Sequence, residues 1–352
     1  MKKSPFHFLT YVLVIGAYAA LQVLQARGGL SSSLRGMLVP ICAYVVMAVS
    51  LNLTVGVLGE LSLGHAGFMS VGAFLGTSTA IALQDAVPVP AVRLTIALIV
   101  AALFAAIAGF LIGIPVLRLN GDYLAIVTLA FGEIIKAIFN NLYLGVDGKG
   151  VHISLLEDTT RTAETGRLII QGPMGIGGIQ KISTFTAGFI LIMISLIVIF
   201  NLVNSRAGRA IMAIRDNHIA AQSVGVNIIK YKMMAFVTSA ALAGSAGALF
   251  AMNYSTVVAN KFDFNTSILI LVFVVLGGLG NMLGSIIAAA VLTILPEALR
   301  PIAEYRMLLY AVLLIVMILT ANHPFVRAFF NRFRQTGRLR LEADGDEERE
   351  AV

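Results

Sequence analysis

Three stretches hold the residue types and spacings that could act on a cargo or a partner. In the first, Gly59-Glu60-Leu61-Ser62-Leu63-Gly64-His65-Ala66-Gly67-Phe68, three glycines and a histidine stand at the start of an apolar run. Helices broken in this way leave N–H groups free at membrane depth, where they meet polar or anionic cargo. Small residues also let helices pack closely, and on these residues alone packing is the favoured reading. The second stretch, Gly208 to Gly225, carries Arg209, Arg215, Asp216, Asn217, His218 and Gln222 among apolar residues. Asp216 or Asn217 suits the N-cap of a short helix, and Gly225 its left-handed end. With Ile219, Ala220 and Val224 apolar and His218 and Gln222 polar, that helix suits either a partner's groove or the membrane surface. The third stretch is Gly277-Gly278-Leu279-Gly280-Asn281, four of whose five residues are poor helix formers. Ser62, Gly64, His65, Gly67, Gly277, Gly278, Gly280 and Asn281 are the candidate pathway residues.

Enzymatic chemistry has little to build on. No G-x-x-x-x-G-K-[ST], H-E-x-x-H or G-x-S-x-G pattern occurs, and the five histidines are scattered. The one cysteine, Cys42, excludes an intramolecular disulfide and a cysteine metal cluster. Glu133 and Lys136, three apart, can pair on one helix face. On these residues the chain is read as not an enzyme, with no metal site and no cofactor of its own.

The elements that must position these residues are membrane helices. Of 352 residues, 58% are hydrophobic and only 12% charged, more apolar surface than a soluble core could hide. Continuous apolar runs cover Phe8–Leu24, Met37–Leu58, Leu61–Leu83, Leu94–Leu117, Tyr123–Leu144, Thr184–Val203, Met233–Met252, Ser267–Leu295 and Met307–Asn322. Their continuity argues for helices over barrel strands. As one helix the Ser267–Leu295 run would measure about 43 Å, longer than a bilayer core. It therefore breaks at its glycines into two spans or a re-entrant pair. Ala240, Gly244 and Ala248, spaced by four, make a helix-contact face.

The net charge of +7 sets an orientation without requiring nucleic acid. Lys2 and Lys3, then Arg206, Arg209, Arg215, Lys230 and Lys232 against the single acid Asp216, then Arg327 to Arg340, all mark cytoplasmic segments. The expectation is an all-α integral membrane protein with about ten transmembrane helices (8–10) and both ends inside. Residues 1–325 form the membrane domain, with an external loop at 145–183 and a cytoplasmic loop at 204–232. Residues 326–352 form a charged cytoplasmic tail.

Four segments in register carry a specific resemblance: Gly59 to Phe74, Gly121-Asp122-Tyr123-Leu124-Ala125-Ile126-Val127-Thr128-Leu129-Ala130-Phe131, Ala213 to Lys232, and Val275-Leu276-Gly277-Gly278-Leu279-Gly280. Over roughly residues 35–320 the chain resembles the LivM-type permeases of branched-chain amino acid ABC importers. The resemblance implies a multi-pass protein of a bacterial or archaeal cell (inner) membrane. It implies partners: a LivH-type permease, two cytoplasmic ATPases that carry the ATP and Mg, and a periplasmic or extracytoplasmic substrate-binding protein. It also makes the block around Arg215 to Gly225 a coupling helix against an ATPase. Urea and short-amide permeases are near relatives, and a secondary carrier is the other transport alternative. One departure stands out: where the family often has T-G-G-x-x-G, this chain has Gly145-Val146-Asp147-Gly148-Lys149-Gly150, and Gly172-Pro173-Met174-Gly175-Ile176 only later.

Overall fold

The computed structural model describes residues 5–29, 31–119, 121–147, 150–155 and 167–300, with the single positions 308, 311, 312 and 315. The tail 326–352, nearly all of the run Met307–Asn322, and Gly148 and Lys149 lie outside the described residues. The chain divides into two units, Met1–Ile294 and Leu295–Val352. What is described of the second includes an ion pair between Glu297 and Arg300 at 3.0 Å.

Apolar runs become helices because a backbone in hydrocarbon has to satisfy its own hydrogen bonds. In chain order they are α1 (Pro5–Ala26), α2 (Ser32–Asn52), α3 (His65–Ala82), α4 (Pro90–Val116) and α5 (Asp122–Asn141). Then come α6 (Phe185–Asn204), α7 (Arg206–Asp216), α8 (His218–Ser223), α9 (Ile228–Ala251), α10 (Phe264–Gly277) and α11 (Met282–Ala298). Side-chain caps mark several starts: Ser31 accepts from the N–H of Leu34 at 3.3 Å, Thr184 from Ala187 at 3.2 Å and Asp263 from Thr266 at 3.0 Å.

Seven helical segments among the described residues are long and apolar enough to cross a bilayer: Leu9–Ala26, Ser32–Leu58, Pro90–Val116, Tyr123–Asn141, Phe185–Asn204, Ile228–Ala251 and Ala259–Gly277. The expected count of about ten is not reached among them, for two physical reasons. Ser70, Thr77, Ser78 and its glycines dilute α3, and the break at Gly278–Asn281 leaves α11 only 17 residues long. That break falls inside the Ser267–Leu295 run, where the glycines place it. Gly277 and Gly284 press backbone to backbone across it, with no room for a Cβ on either.

The chain also departs from pure helix. Strands β1 (Tyr143–Asp147), β2 (Gly150–Ser154) and β3 (Arg167–Gln171) form a small antiparallel sheet in the order β2-β1-β3. Asp147 pairs with Gly150. The Asp147-Gly148-Lys149-Gly150 stretch between two short β-prone runs is a hairpin signal, and it lies where the glycine pattern departs from the family's.

Helix α9 lies against α2, α3 and α4. Its small-residue face meets a glycine at each step: a Cβ on Gly109 would stand 2.6 Å from the Ala240 Cβ, and one on Gly76 2.7 Å from that of Ala248. Between them Gly72 and Gly244 bring α3 and α9 into backbone contact. Dispersion over such close faces replaces the hydrophobic drive that lipid cannot supply. At the periphery, Tyr18 of α1 stacks on Phe189 of α6 with ring centres 4.0 Å apart.

The end of α2 shapes everything that follows. The helix widens into a π-helical turn, Leu53–Leu58, and stops at Gly59 with φ +83°. The chain then doubles back, because His65 at the head of α3 bonds Ser50, eight residues before Leu58. At 1.5 Å per residue that is about 12 Å back along the helix, so residues 60–64 run non-helical beside α2.

Candidate functional site

The loop between α6 and α9 is two capped helices joined without slack. Ser205 heads α7, accepting from the N–H of Gly208 at 3.1 Å. Ile211 and Ile214 of α7 are buried, whereas Arg209 is exposed and reaches the Asn204 carbonyl at 3.4 Å. Asn217 ends α7 and caps α8, its Oδ1 accepting from the N–H groups of Ile219 and Ala220, both at 3.1 Å. Of the two cap candidates, then, Asn217 serves and Asp216 does not. Asp216 instead holds the Arg215 guanidinium, with Nε at 3.1 Å and Nη2 at 2.9 Å from one carboxylate oxygen.

Gly225, at φ +84°, closes α8 as the sequence suggested. Its N–H bonds Gln222 O at 3.0 Å and that of Val226 bonds Ala221 O at 3.1 Å, the paired bonds of a Schellman end. Of α8, Ala221 is buried; Gln222 is exposed, and Ile219 and Val224 stand 69% and 78% exposed. A rigid two-turn knob with bare apolar side chains is built for a soluble partner or a lipid surface.

Two cations of this region grip the turn that ends α2. Arg215 Nη1 donates to the Gly56 carbonyl at 3.2 Å. That carbonyl lies in the last turn of the helix, where backbone acceptors lack intrahelical donors and a cation is electrostatically favoured. A Cβ on Gly59 would sit 2.6 Å from Arg215 Cγ, so Gly59 serves both the left-handed bend and the passage of the arginine. Glu60, one residue on, forms an ion pair with Lys232 of α9, whose side chain is 5% exposed.

The candidate pathway residues fall into two groups. Around the start of α3, Leu63 N–H bonds Thr128 Oγ1 at 3.1 Å and Ala66 N–H bonds Ser267 Oγ at 3.1 Å, so the freed backbone groups find side chains of α5 and α10. Gly64 rests on the Thr128 carbonyl, and a Cβ on Gly67 would reach Gly132 Cα at 3.0 Å. His65 is buried, its Nε2 2.8 Å from Ser50 Oγ. Ser50 gives its own proton to the Met47 carbonyl at 2.9 Å, which leaves His65 Nε2 as the donor. Ser62 is buried as well, and its hydroxyl has no hydrogen-bond partner among the described residues. The second group is the α10–α11 break. Gly278 and Gly280 take φ +92° and +78°. Asn281 Oδ1 accepts from Gly284 N–H at 3.3 Å, at the head of α11.

These groups meet across α2, through residues that motif reading passed over. Ser50 holds His65. Asn52, two residues on, accepts from Gly280 N–H at 2.8 Å and donates to Ser285 Oγ at 2.9 Å. The signal was present as polar Ser50, Asn52 and Thr54 within an apolar run, a placement that calls for internal partners. Elsewhere, Glu133 and Lys136 pair at 2.5 Å, as their spacing predicts. Among the described residues, no three of His, Cys, Asp and Glu gather as a metal site.

The family described as branched-chain amino acid transport system / permease component matches residues 33–321. The chain is 35% identical over 326 residues to the high-affinity branched-chain amino acid transport system permease protein LivM of Salmonella typhimurium, covering 89% of this chain and 72% of that one. With the protein of the same name in Escherichia coli it shares 35% identity over 290 residues, 78% of this chain and 66% of that one. A third relative, the probable branched-chain amino acid transport permease protein LivM of Methanocaldococcus jannaschii, is 26% identical over 209 residues, 53% of this chain and 52% of its own. No solved structure matches.

Proposed function

The chain belongs to the permease-component family of branched-chain amino acid transport systems, and we propose that it is a membrane subunit of an ATP-binding cassette importer for branched-chain or other hydrophobic amino acids. The observation that carries this reading is the match over residues 33–321, which takes in both breaks and the capped loop helices. The protein is a multi-pass membrane protein, and the membrane assigned to it is the bacterial or archaeal inner membrane.

The partners follow from the division of labour. A second, LivH-type permease completes the membrane pair, and a substrate-binding protein delivers cargo from outside. Two cytoplasmic ATPases bind ATP and Mg, for which this chain has no phosphate-cradling loop. In this reading Arg209, Arg215, Asp216, Asn217, Gln222 and Gly225 couple the chain to an ATPase, with α8 as the surface that meets it and Arg215 directed onto the end of α2. The exposed Ile219 and Val224 supply its apolar anchor. The two breaks flank the route of the cargo, with Ser62, Gly64, His65, Gly67, Gly277, Gly278, Gly280 and Asn281 nearest. His65 and the glycines act there by holding the breaks in shape. The termini, the tail 326–352 and the 204–232 loop are assigned to the cytoplasm, and 145–183 to the outside. The grip of Arg215 and Lys232 on residues 56–60 supports that orientation, since it sets the end of α2 beside the basic loop.

The test is reconstitution of the chain with both ATPases, the second permease and the binding protein in proteoliposomes. Labelled leucine, isoleucine or valine should enter only with ATP and binding protein present. Uptake of urea or short amides alone would change the cargo. Uptake that persists after every ATPase is removed would replace the importer with a secondary carrier.

A further inference from the structure

We propose that Arg215 is a positioning residue for transport, joining the cytoplasmic loop to the break between α10 and α11 through one turn of α2. The proposal rests on the reading of α8 as the surface that meets an ATPase. The path is short and each step is a specific contact. Arg215, in the last turn of α7, stands three positions before the first residue of α8, with Asp216 fixing its guanidinium and Nη1 on the Gly56 carbonyl at 3.2 Å. Gly56 lacks a Cβ, and the Gly280 backbone occupies the space one would need. Four residues earlier, Asn52 holds Gly280 N–H at 2.8 Å and Ser285 Oγ at 2.9 Å, so one amide spans the end of the break and the first turn of α11.

Two features make this more than packing. The turn carrying Gly56 is π-helical, a rare, widened form that recurs at functional sites. Gly278 and Gly280 sit at positive φ, and these residues reorient without a Cβ penalty. A tilt of α7 and α8 that moves the guanidinium therefore acts directly on the π-turn, and the π-turn lies against the only non-helical residues between α10 and α11. Lys232, paired with Glu60, ties the chain just past the same turn to α9.

The experiment uses the assembled complex in proteoliposomes with Cys42→Ser in the background. Leu279, 59% exposed within the break, is replaced by cysteine as a probe. Its labelling rate by a small hydrophilic thiol reagent is measured without nucleotide and with ATP trapped on hydrolysis-deficient ATPases. With Arg215 present the two rates should differ about fivefold or more, the low end of ordinary coupling between sites. With Arg215→Gln the difference should fall below about twofold while the ATPases still copurify in full. Arg215→Lys, which keeps a charged donor for the Gly56 carbonyl, should restore part of it. Rates that stay ATP-dependent in Arg215→Gln overturn the proposal. So does loss of the ATPases from that variant, which would make Arg215 a docking residue. A complex that holds its ATPases yet shows no nucleotide effect with Arg215 intact also overturns it, while leaving the docking role of α8 standing. Failure of the parent chain to retain any ATPase would remove the importer reading itself, and the proposal with it.

Discussion

Asn52 and Gly280 stand 228 positions apart in the chain and are joined by a 2.8 Å bond from the Gly280 N–H to the Asn52 side-chain carbonyl. Asn52 is fully buried, whereas Gly280 is exposed at the break, so the bond ties an exposed turn to the interior. Asn52→Leu keeps the volume and removes the acceptor. Losing a typical intramolecular hydrogen bond costs about 0.5–1.5 kcal/mol. Ser285 suffers less, because it retains the Asn281 carbonyl at 3.2 Å. The variant should therefore melt several degrees lower than its parent in detergent, with helix content unchanged by circular dichroism. An unchanged midpoint would mean that the bond adds nothing to stability.

Neighbouring residues 216 and 217 should behave differently. Asn217 accepts two N–H groups at the head of α8, and Asn217→Ala removes about 1 kcal/mol of capping from a helix only six residues long. Asp216→Ala leaves that cap in place and only frees the guanidinium of Arg215, an exposed pair of small energetic value. Copurification of the ATPases should thus drop sharply for Asn217→Ala and stay near normal for Asp216→Ala. The opposite ranking would place the docking determinant on the acid.

Much of this architecture was legible in the sequence, and the reasons are local. Hydrophobicity and continuity place the apolar runs. The glycines at 277–280 place the break because glycine and asparagine are poor helix formers, and Gly225 announces its own left-handed turn. Other features were beyond a one-dimensional pattern. The sheet at 143–171 has strands only five residues long, too short for an alternating pattern to stand out. Helix α7 follows α6 with only Ser205 between, so no loop composition separates the two. Asn52, Ser50 and the Glu60–Lys232 pair depend on which helices become neighbours, a tertiary fact that spacing along one helix does not encode.

Orientation has a direct check. With Cys42→Ser in the background, single cysteines are placed at Ser154, in β2, and at Ser223, the exposed last residue of α8. An impermeant maleimide added to intact cells should label the first and spare the second until the cells are opened. The reverse pattern would invert the assignment made from the Lys and Arg distribution.

The α3–α9 contact predicts a sharp steric effect. A Cβ on Gly72 would collide with the Gly244 backbone, whereas one on Gly16 in α1 would meet nothing within 4 Å. Gly72→Ala should destabilise the fold by about 1–3 kcal/mol, as overpacking generally does, and lower the yield of monodisperse protein. Gly16→Ala should match the parent, since alanine only improves helix propensity there. Equal yields for the two variants would mean that α3 and α9 do not approach as closely as described.

The ion pair of Glu60 and Lys232 lends itself to a double-mutant test. Both side chains are largely hidden, 14% and 5% exposed, and they tie the turn after α2 to the first turns of α9. Forming such a pair returns little net energy, because each charge loses its hydration on burial. Removing one partner is far worse, since it leaves the other charge dry and alone at a cost of about 3–5 kcal/mol. Lys232→Met and Glu60→Gln should each lower the melting temperature strongly. Combined, they leave no buried charge behind, and the double variant should recover most of the loss, falling well short of the sum of the singles. Uptake separates structure from transport in the same protein. If the pair serves only to fix the turn in place, the recovered double variant should also regain amino acid uptake in proteoliposomes. If stability returns and uptake does not, the charges themselves are needed as the turn moves. Single variants as stable as the parent would mean that water reaches these groups and that the turn is held by Arg215 and the packing of α2 alone.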